Sequence, residues 1–175
     1  FGRPQNRALV NLLNLDLLEA PNVKFSGYDS FALVDVATHT NCALPRDRTP
    51  TIVIDHHSVP SSEVQAIYSD ISTVGATSTL LTDYLRYGSV EIDGATAAAL
   101  MVGILTDTMN FARGTTPQDF EAFTYLMDRA DLDLLRRLQS PPISPEALDI
   151  LARAIKDSKL KELSLIHISE PTRLL

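Results

Sequence analysis

Residues 51–57 combine an apolar strand with a polar triplet, and this segment constrains the fold more than any other part of the chain. Its sequence is Thr-Ile-Val-Ile-Asp-His-His. The first four residues are β-branched and mostly apolar, which is typical of a buried strand. Ligands of open α/β sheets bind at the carboxyl ends of the strands. We therefore expect Asp55, His56 and His57 to lie at a site there, where a divalent metal ion offsets the cost of burying them.

Acidic residues also follow two other apolar elements. Residues 31–34, Phe-Ala-Leu-Val, predict a strand that ends at Asp35, and the alanine-rich residues 93–106 predict a central helix that ends before Asp107. Carboxylates and imidazoles without thiolates suit Mn²⁺, Mg²⁺, Fe²⁺ or Zn²⁺, and cations offset the repulsion between neighbouring acids. The pattern indicates a metal centre built from Asp35, Asp55, His56, His57 and Asp107.

Each of these residues also has a simpler interpretation. An aspartate after a strand is a common turn former, an aspartate after a helix is often a surface or capping residue, and two adjacent histidines are common in loops. The repetition of an acid after an apolar element, together with the Asp-His-His triplet, favours the metal centre. Two ions about 3.5–4 Å apart can share a bridging carboxylate and stabilise both the attacking and the leaving oxygens of a phosphoryl transfer.

The rest of the chain predicts a parallel-sheet α/β domain with helices on both faces of the sheet. A polar loop is expected at residues 37–50 and a weaker strand at residues 64–69. Helices are expected at residues 6–20, 75–87, 117–130, 131–139 and 144–160. The expected caps are Ser72 or Thr73 and Gly88 for the second of these helices, and Thr115 or Thr116 for the third, whose first turns carry Asp119 and Glu121.

Composition narrows the class of protein. The chain of 175 residues is 45% hydrophobic and 21% charged, as in soluble globular proteins. Its formal net charge of −7 argues against a broadly basic nucleic-acid surface, although not against a local basic groove. An acidic protein that handles phosphates usually needs metal ions to do so. The single Cys42 fits a reducing compartment and argues against a thiolate zinc site. No apolar run approaches the roughly 18 residues that span a bilayer, so we expect a cytoplasmic protein with no membrane partner.

Four blocks of the sequence, in order, resemble the DHH phosphoesterase family. Residues 53–57, Val-Ile-Asp-His-His, look like the signature of the family. Residues 33–35 and the loop that follows them resemble the second motif, and residues 103–108, Gly-Ile-Leu-Thr-Asp-Thr, resemble the fourth. Residues 74–78 resemble the helix start between these motifs. The similarity covers about residues 1–160, and four ordered blocks are more specific than a tripeptide.

The resemblance implies a role for each residue of the metal centre. Asp35 would bridge two metal ions. His56 would bind one ion, and Asp107 would complete the ligand shell of that ion. Asp55 would orient an imidazole or, as an open alternative, bind metal directly, and His57 would lie near the scissile phosphate.

The implied enzyme is a Mn²⁺-dependent phosphoesterase or phosphodiesterase with a two-metal site, for which Mg²⁺ and Fe²⁺ are alternatives. It would use metal-activated water to hydrolyse phosphodiester or phosphomonoester bonds of small nucleotides or short oligonucleotides. Arg113, in the loop after the fourth motif, and Asn41, in the second-motif loop, are candidate substrate-binding residues. A solvated loop arginine is the alternative for Arg113.

The compact spacing most resembles the stand-alone small-substrate type, which includes nanoRNase, pAp-phosphatase-like and exopolyphosphatase-related proteins. Family substrates are short RNA, 3′-phosphoadenosine 5′-phosphate, cyclic dinucleotides, single-stranded DNA and pyrophosphate. The expected partner is thus a small nucleotide or a short single-stranded nucleic acid, and a homodimer stays open. The alternatives are a pyrophosphatase of the same family, a catalytically inactive nucleotide-binding regulatory module, and an acidic α/β scaffold in which the triplet is incidental.

The resemblance also implies a domain organisation. Residues 1–140 would form the catalytic domain, truncated at its N-terminus before the first motif of the family. Residues 141–162 would form a linker helix toward a missing C-terminal substrate-binding domain. Residues 163–173 resemble a translated sequencing adapter, so residues 163–175 are interpreted as a non-native tail and His167 is discounted as a ligand. We expect this fragment to be inactive and its longer parent to be active.

Overall fold

The computed structural model describes residues 4–39, 42–141 and 145–157. Within these ranges the chain forms three parallel strands and six α-helices, which is the α/β fold predicted from the sequence. The chain divides into two compact units, Phe1–Pro141 and Pro142–Leu175. The predicted tail at residues 163–175 lies outside the described residues, and the predicted domain organisation stays a prediction. No helix in the described ranges is long and apolar enough to span a membrane.

Three short strands form the sheet, which are β1 (Ala32–Val34), β2 (Ile52–Asp55) and β3 (Tyr68–Ile71). They are parallel, in the order β1-β2-β3. In the central strand, Val53 pairs with Leu33 on one side and Ser69 on the other, and it is fully buried. The strands predicted before Asp35 and at the start of residues 51–57 are therefore confirmed.

The third strand begins later than the sequence predicted, at Tyr68 rather than at residue 64. Val64 and Ala66 precede the strand and pack, partly buried, against the apolar cluster around Val53. Pairing with the central strand starts only where Tyr68 lies opposite Ile52. The apolar residues that suggested an earlier strand thus belong to the loop that covers one face of the sheet.

The helices are α1 (Pro4–Leu12), α2 (Thr77–Tyr87), α3 (Gly94–Asp107), α4 (Pro117–Met127), α5 (Leu132–Gln139) and α6 (Pro145–Asp157). α3 packs against α2, α4 and α5, and its Ala97, Met101 and Ile104 are fully buried. A β-carbon on Gly103 would clash with Ser78, so the absence of a side chain lets α2 and α3 approach closely. The predicted central helix is confirmed.

Three helices start where the sequence predicted. The Asp93 carboxylate accepts a hydrogen bond of 2.7 Å from the Thr96 N–H at the start of α3. Thr116 and Asp119 form a capping box at the start of α4. The Asp131 carboxylate accepts a hydrogen bond of 2.9 Å from the N–H of Leu134 in α5. Each side chain stabilises its helix because it satisfies an N–H group that has no partner within the helix.

The first helix ends at Leu12, not at residue 20 as predicted. Asn14 has a φ of 48°, a left-handed conformation that asparagine tolerates and that stops a helix. The Leu15 N–H then donates to the Val10 carbonyl (3.0 Å), which is the bond of a Schellman motif. The apolar residues after Asn14 follow helical spacing by sequence alone, and this cap ends the helix before them.

The second helix begins at Thr77 rather than at residue 75, and Ala76 is its N-cap. The predicted caps Ser72 and Thr73 lie before this point, and the Ser72 hydroxyl donates to the Asp70 carboxylate (2.5 Å) instead. At the other end, Gly88 is the C-cap as predicted. The extended backbone before α2 carries part of the candidate site.

Candidate metal centre

The parallel sheet brings the ends of β1 and β2 to one edge. Val34 lies opposite Ile54, so the next residues, Asp35 and Asp55, are neighbours. The Asp35 N–H donates to the Ile54 carbonyl (3.0 Å), which extends the ladder by one residue. Asp35 itself has a φ of 64°, a left-handed conformation that aspartate tolerates better than most residues. Its carboxylate is half exposed at this edge, with 53% of the side chain accessible.

Asp55 is a buried acceptor that organises the two histidines. Only 1% of the residue is exposed. Its Oδ1 accepts from the N–H of His56 (2.7 Å), from the N–H of His57 (3.1 Å) and from Nδ1 of His57 (2.7 Å). The hydrogen bond from the His57 ring to Asp55 raises the pKa of His57, and the negative charges of Asp35 and Asp107 act in the same direction.

His56 is held in one orientation by a backbone carbonyl. Its Nδ1 lies 3.2 Å from the Val74 oxygen, and since a carbonyl only accepts, this nitrogen donates. The lone pair of the neutral ring is then on Nε2, which lies 3.5 Å from Oδ1 of Asp35. The Thr77 hydroxyl donates to the same Asp35 oxygen (2.7 Å). Nε2 is therefore oriented by a contact at the other nitrogen of its ring, and Oδ1 is held by the Thr77 hydroxyl, as expected of metal ligands.

The arrangement fits a divalent metal ion. Asp35, Asp55, His56 and His57 can each offer one ligand atom, and these atoms lie within 4.8 Å of one another. Two ligands that are each about 2.1 Å from a shared tetrahedral ion lie about 3.4 Å apart, close to the observed Nε2 to Oδ1 distance. Oxygen and imidazole nitrogen donors without sulfur suit Mn²⁺, Mg²⁺, Fe²⁺ and Zn²⁺.

Asp107, the fifth residue predicted for this centre, lies outside the group of four. It is the last residue of α3 and is partly buried. Its negative charge is near enough to contribute to the raised pKa of His57. The structure thus brings together four of the predicted residues and leaves Asp107 nearby.

The predicted substrate-binding residues are less closely tied to this centre. Asn41 lies outside the described residues. Arg113 is exposed, and its guanidinium forms no ion pair with any other residue that the structure describes. Its N–H donates to the Thr108 carbonyl (2.9 Å), which closes a turn in which three consecutive residues have positive φ, namely Met109, Asn110 and Phe111. Whether Arg113 contacts substrate stays a prediction.

Asp119 is an important residue that the sequence motifs did not reveal, since the sequence predicted it only in the first turn of a helix. The residue is fully buried. Its carboxylate accepts from the Gly75 N–H (2.9 Å), the Thr79 hydroxyl (2.5 Å), and the N–H and hydroxyl of Thr116 (both 2.7 Å). One signal was available, because Asp119 shares a helical face with the buried Ala122 and Leu126.

The hydrogen bonds to Asp119 predict loss of stability in acid. Burial acts to raise the pKa of Asp119, but the hydrogen bonds from Thr79, Thr116 and Gly75 outweigh it and hold the pKa below 3.8. A lowered pKa in the folded state stabilises the protein above the unfolded value, and this contribution is lost as the pH falls through the folded value. We expect the free energy of unfolding of wild type to approach that of Asp119→Asn between about pH 5 and pH 2.

Urea denaturation at a series of pH values measures this effect. Asp133→Asn, which removes an exposed acid from α5, controls for the change in net charge. A constant difference between wild type and Asp119→Asn across the acid range would contradict the prediction.

Several known proteins resemble the chain in sequence. No protein-family model matches it. It is 33% identical over 173 residues to uncharacterized protein MJ1633 of Methanocaldococcus jannaschii, which covers 97% of this chain and 36% of that protein. It is 33% identical over 132 residues to the A-adding tRNA nucleotidyltransferase of Aquifex aeolicus, a match that covers 73% of this chain and 16% of that protein. It is 34% identical over 106 residues to a probable manganese-dependent inorganic pyrophosphatase of Listeria welshimeri, a match that covers 59% of this chain and 34% of that protein.

Two solved structures resemble the chain in fold. A putative family II inorganic pyrophosphatase of Methanococcus jannaschii aligns with a TM-score of 0.60 at 20% identity, over 86% of this chain and 49% of that one. An exopolyphosphatase-related protein of Bacteroides fragilis aligns with a TM-score of 0.52 at 20% identity, over 63% of this chain and 33% of that one. The chain spans about a third of MJ1633 and less of the nucleotidyltransferase. Together these matches point to a DHH-like α/β fold, as the sequence motifs predicted.

Proposed function

We propose that this chain supplies the metal-binding centre of a metal-dependent phosphoesterase. The observation that carries the proposal is the pair formed by Nε2 of His56 and Oδ1 of Asp35, 3.5 Å apart at the end of a parallel sheet. Relatives named manganese-dependent inorganic pyrophosphatases support a phosphoryl-transfer enzyme and favour Mn²⁺ over Mg²⁺ and Fe²⁺. The proposed substrate is a small nucleotide or a short oligonucleotide, which would be cleaved at a phosphodiester or phosphomonoester bond.

Asp35, His56 and Asp107 are the residues that we assign to the metal. When bound, a divalent ion there would polarise a phosphoryl oxygen and lower the pKa of a coordinated water. Asp35 is suited to bridging two ions because its carboxylate is half exposed at the sheet edge. His56 is suited to binding one ion because its donor nitrogen is already committed to the Val74 carbonyl.

Asp55 and His57 are the residues that we assign to proton transfer and substrate orientation. Asp55 holds Nδ1 of His57 at 2.7 Å, which leaves the other ring nitrogen for substrate. Because His57 is mostly exposed and its pKa is raised, it is suited to donating a proton to a phosphate oxygen. Arg113, a cation near the end of the turn after Asp107, is proposed to contact a phosphate.

A pyrophosphatase is the second candidate function. It is favoured by relatives named as probable manganese-dependent inorganic pyrophosphatases and by a solved structure of a putative family II inorganic pyrophosphatase, whose alignment covers 86% of this chain. The chemistry at the metal would be the same, and the substrate would be a phosphoanhydride. A nucleotide-binding module without activity is the alternative of a different class, and it predicts no gain of activity on adding metal.

Four clustered side chains are enough for one ion, whereas a two-metal centre needs further ligands. We therefore propose that the 175-residue chain alone is inactive and that a longer parent protein is active, which the partial coverage of relatives such as MJ1633 supports. A cytoplasmic location and a homodimer remain predictions of the sequence.

The test is a paired assay of the proposed longer parent and of this chain. Mn²⁺ binding is measured by isothermal titration calorimetry, and hydrolysis is measured with a short RNA, 3′-phosphoadenosine 5′-phosphate, a cyclic dinucleotide and pyrophosphate. We expect the chain to bind Mn²⁺ and the longer protein to hydrolyse at least one substrate only when Mn²⁺ is present. If the longer protein binds no divalent metal and gains no activity from Mn²⁺, the inactive binding module is the correct function.

A further inference from the structure

Asp119 is a buried, charged residue that the proposed chemistry does not use. It lies in the first turn of α4 and makes four kinds of contact, all to groups that donate hydrogen bonds to its carboxylate. Two of the donors, the N–H and hydroxyl of Thr116, belong to its own helix cap. The Gly75 N–H lies just before the N-cap of α2 and the Thr79 hydroxyl lies in the first turn of α2, 44 and 40 residues earlier in the chain.

The contact with Gly75 connects Asp119 to the candidate metal centre through one peptide group. The Gly75 N–H and the Val74 carbonyl belong to the same peptide plane, and they point in opposite directions because the peptide bond is trans. On one side, the N–H donates to Asp119 (2.9 Å). On the other side, the carbonyl accepts from Nδ1 of His56 (3.2 Å).

Because a peptide group is planar and rigid, anchoring its N–H also fixes the direction of its carbonyl. Hydrogen bonds in such a chain also polarise one another, so a carboxylate on the N–H makes the carbonyl a stronger acceptor. Carboxylates that accept directly from metal-bound histidines fix the tautomer of the ring and raise its basicity. Here the Asp119 carboxylate would act on the His56 ring through the Val74–Gly75 peptide group that lies between them.

We propose that Asp119 is a positioning residue for His56, acting through the Val74–Gly75 peptide group. By holding the peptide, it keeps the proton of His56 on Nδ1 and directs Nε2 toward Asp35. The inference rests on the proposed function in one respect, since it takes His56 to be a metal ligand. The effect on the ring does not depend on metal and is measured without it.

Packing around Gly75 shows how tightly this peptide is held. A β-carbon on Gly75 would lie 2.6 Å from Cγ2 of Thr108 and 2.7 Å from Oδ2 of Asp119. Such distances require the peptide or the carboxylate to move. Gly75→Ala is therefore a second way to break the contact, and it keeps the charge of Asp119.

The first experiment determines which nitrogen of His56 carries the proton in the metal-free protein. Long-range ¹H–¹⁵N correlation spectra at about pH 8.5, above the ordinary pKa of a free imidazole, distinguish the two tautomers. We expect the Nδ1–H form of His56 in wild type, and a mixture of both forms in Asp119→Asn and in Gly75→Ala. If either folded variant keeps the pure Nδ1–H form, Asp119 is merely structural and the proposal is wrong.

Two control variants separate positioning from loss of stability. Asp131→Asn removes the negative charge at the N-terminus of α5, where Asp131 accepts from the N–H of Leu134 rather than from the Val74–Gly75 peptide. Thr79→Val removes one donor to Asp119 and leaves the Gly75 contact in place. Both are expected to lower the unfolding temperature and to keep the Nδ1–H form of His56. Loss of that form in Asp131→Asn would mean that the spectrum reports stability, and it would overturn the proposal.

The second experiment measures Mn²⁺ affinity by calorimetry at a temperature where all variants are folded. We expect Asp119→Asn to bind Mn²⁺ about 10-fold more weakly, at the lower end of the effect of direct histidine partners. Asp131→Asn should bind like wild type. A tautomer change without any Mn²⁺ binding in wild type would support the positioning of His56 and contradict the proposed function, so the two failures are distinguishable.

Discussion

Asp35→Asn is expected to weaken Mn²⁺ binding by at least about 100-fold, because loss of an outer partner of a ligand already costs about 10–100-fold. The substitution keeps the shape of the side chain and removes its charge. The amide oxygen still accepts from the Thr77 hydroxyl, which now donates to Asp35 at 2.7 Å. What is lost is the anionic ligand beside Nε2 of His56, 3.5 Å away.

The same substitution should leave the fold intact. Asp35 has a φ of 64°, and asparagine tolerates this left-handed conformation as well as aspartate does. The side chain is also 53% exposed, so no buried charge or cavity is created. We therefore expect the unfolding temperature of the metal-free variant to match that of wild type.

Calorimetric titration with Mn²⁺ and thermal denaturation with a chelator present measure the two quantities. Asp29→Asn is the matched control, since Asp29 is an exposed acid shortly before β1. A metal affinity in Asp35→Asn that equals the affinity of this control would show that Asp35 is not a ligand.

The parts of the site that could be predicted from sequence are those that depend on local pattern. An apolar β-branched run identifies β2, and the rule for strand ends then places Asp55, His56 and Asp35 at one edge. Because parallel strands share a direction, two local patterns were enough to infer a contact between residues that are 20 positions apart. The start of α4 at Thr116 was predicted for a similar reason, since a capping side chain satisfies groups of its own helix.

The parts that could not be predicted depend on contacts between distant segments. Val74 orients His56 by a backbone carbonyl, to which side-chain identity gives no clue. The carboxylate of Asp119 reaches Gly75 across 44 residues, and no local pattern specifies that pairing. The left-handed turn after Asp107 also depends on a contact with another segment, because the Phe111 ring stacks on Phe120 of α4, with ring centroids 4.6 Å apart.

Asp55→Asn is expected to lower the free energy of unfolding by about 2 kcal/mol, the range for hydrogen bonds to a charged group. The carboxylate is 1% exposed and accepts from two backbone N–H groups and the His57 ring. All three donors point at Oδ1, so an amide oxygen in that position would keep the contacts but without the negative charge that strengthens them. The NH₂ group that replaces Oδ2 would also need an acceptor in this buried position.

This substitution should also change how stability depends on pH. The hydrogen bond to Asp55 raises the pKa of His57 above 6.5, so its contribution is fully present below 6.5 and is lost as the pH rises through the folded value. In Asp55→Asn the pKa of His57 should fall back toward 6.5. The stability difference between wild type and variant is then larger at about pH 6 than at about pH 9.

Urea denaturation at both pH values, together with titration of the His57 ring by NMR, tests this prediction in the metal-free protein. Asp70→Asn is the matched control, because Asp70 lies in the neighbouring strand β3 and accepts from Ser72 and Tyr84 rather than from a histidine. It should lower stability without changing the pKa of His57. If the pKa of His57 stays raised in Asp55→Asn, the negative charges of Asp35 and Asp107 are what raises it. Asp55 would then serve only to accept hydrogen bonds from the two backbone N–H groups.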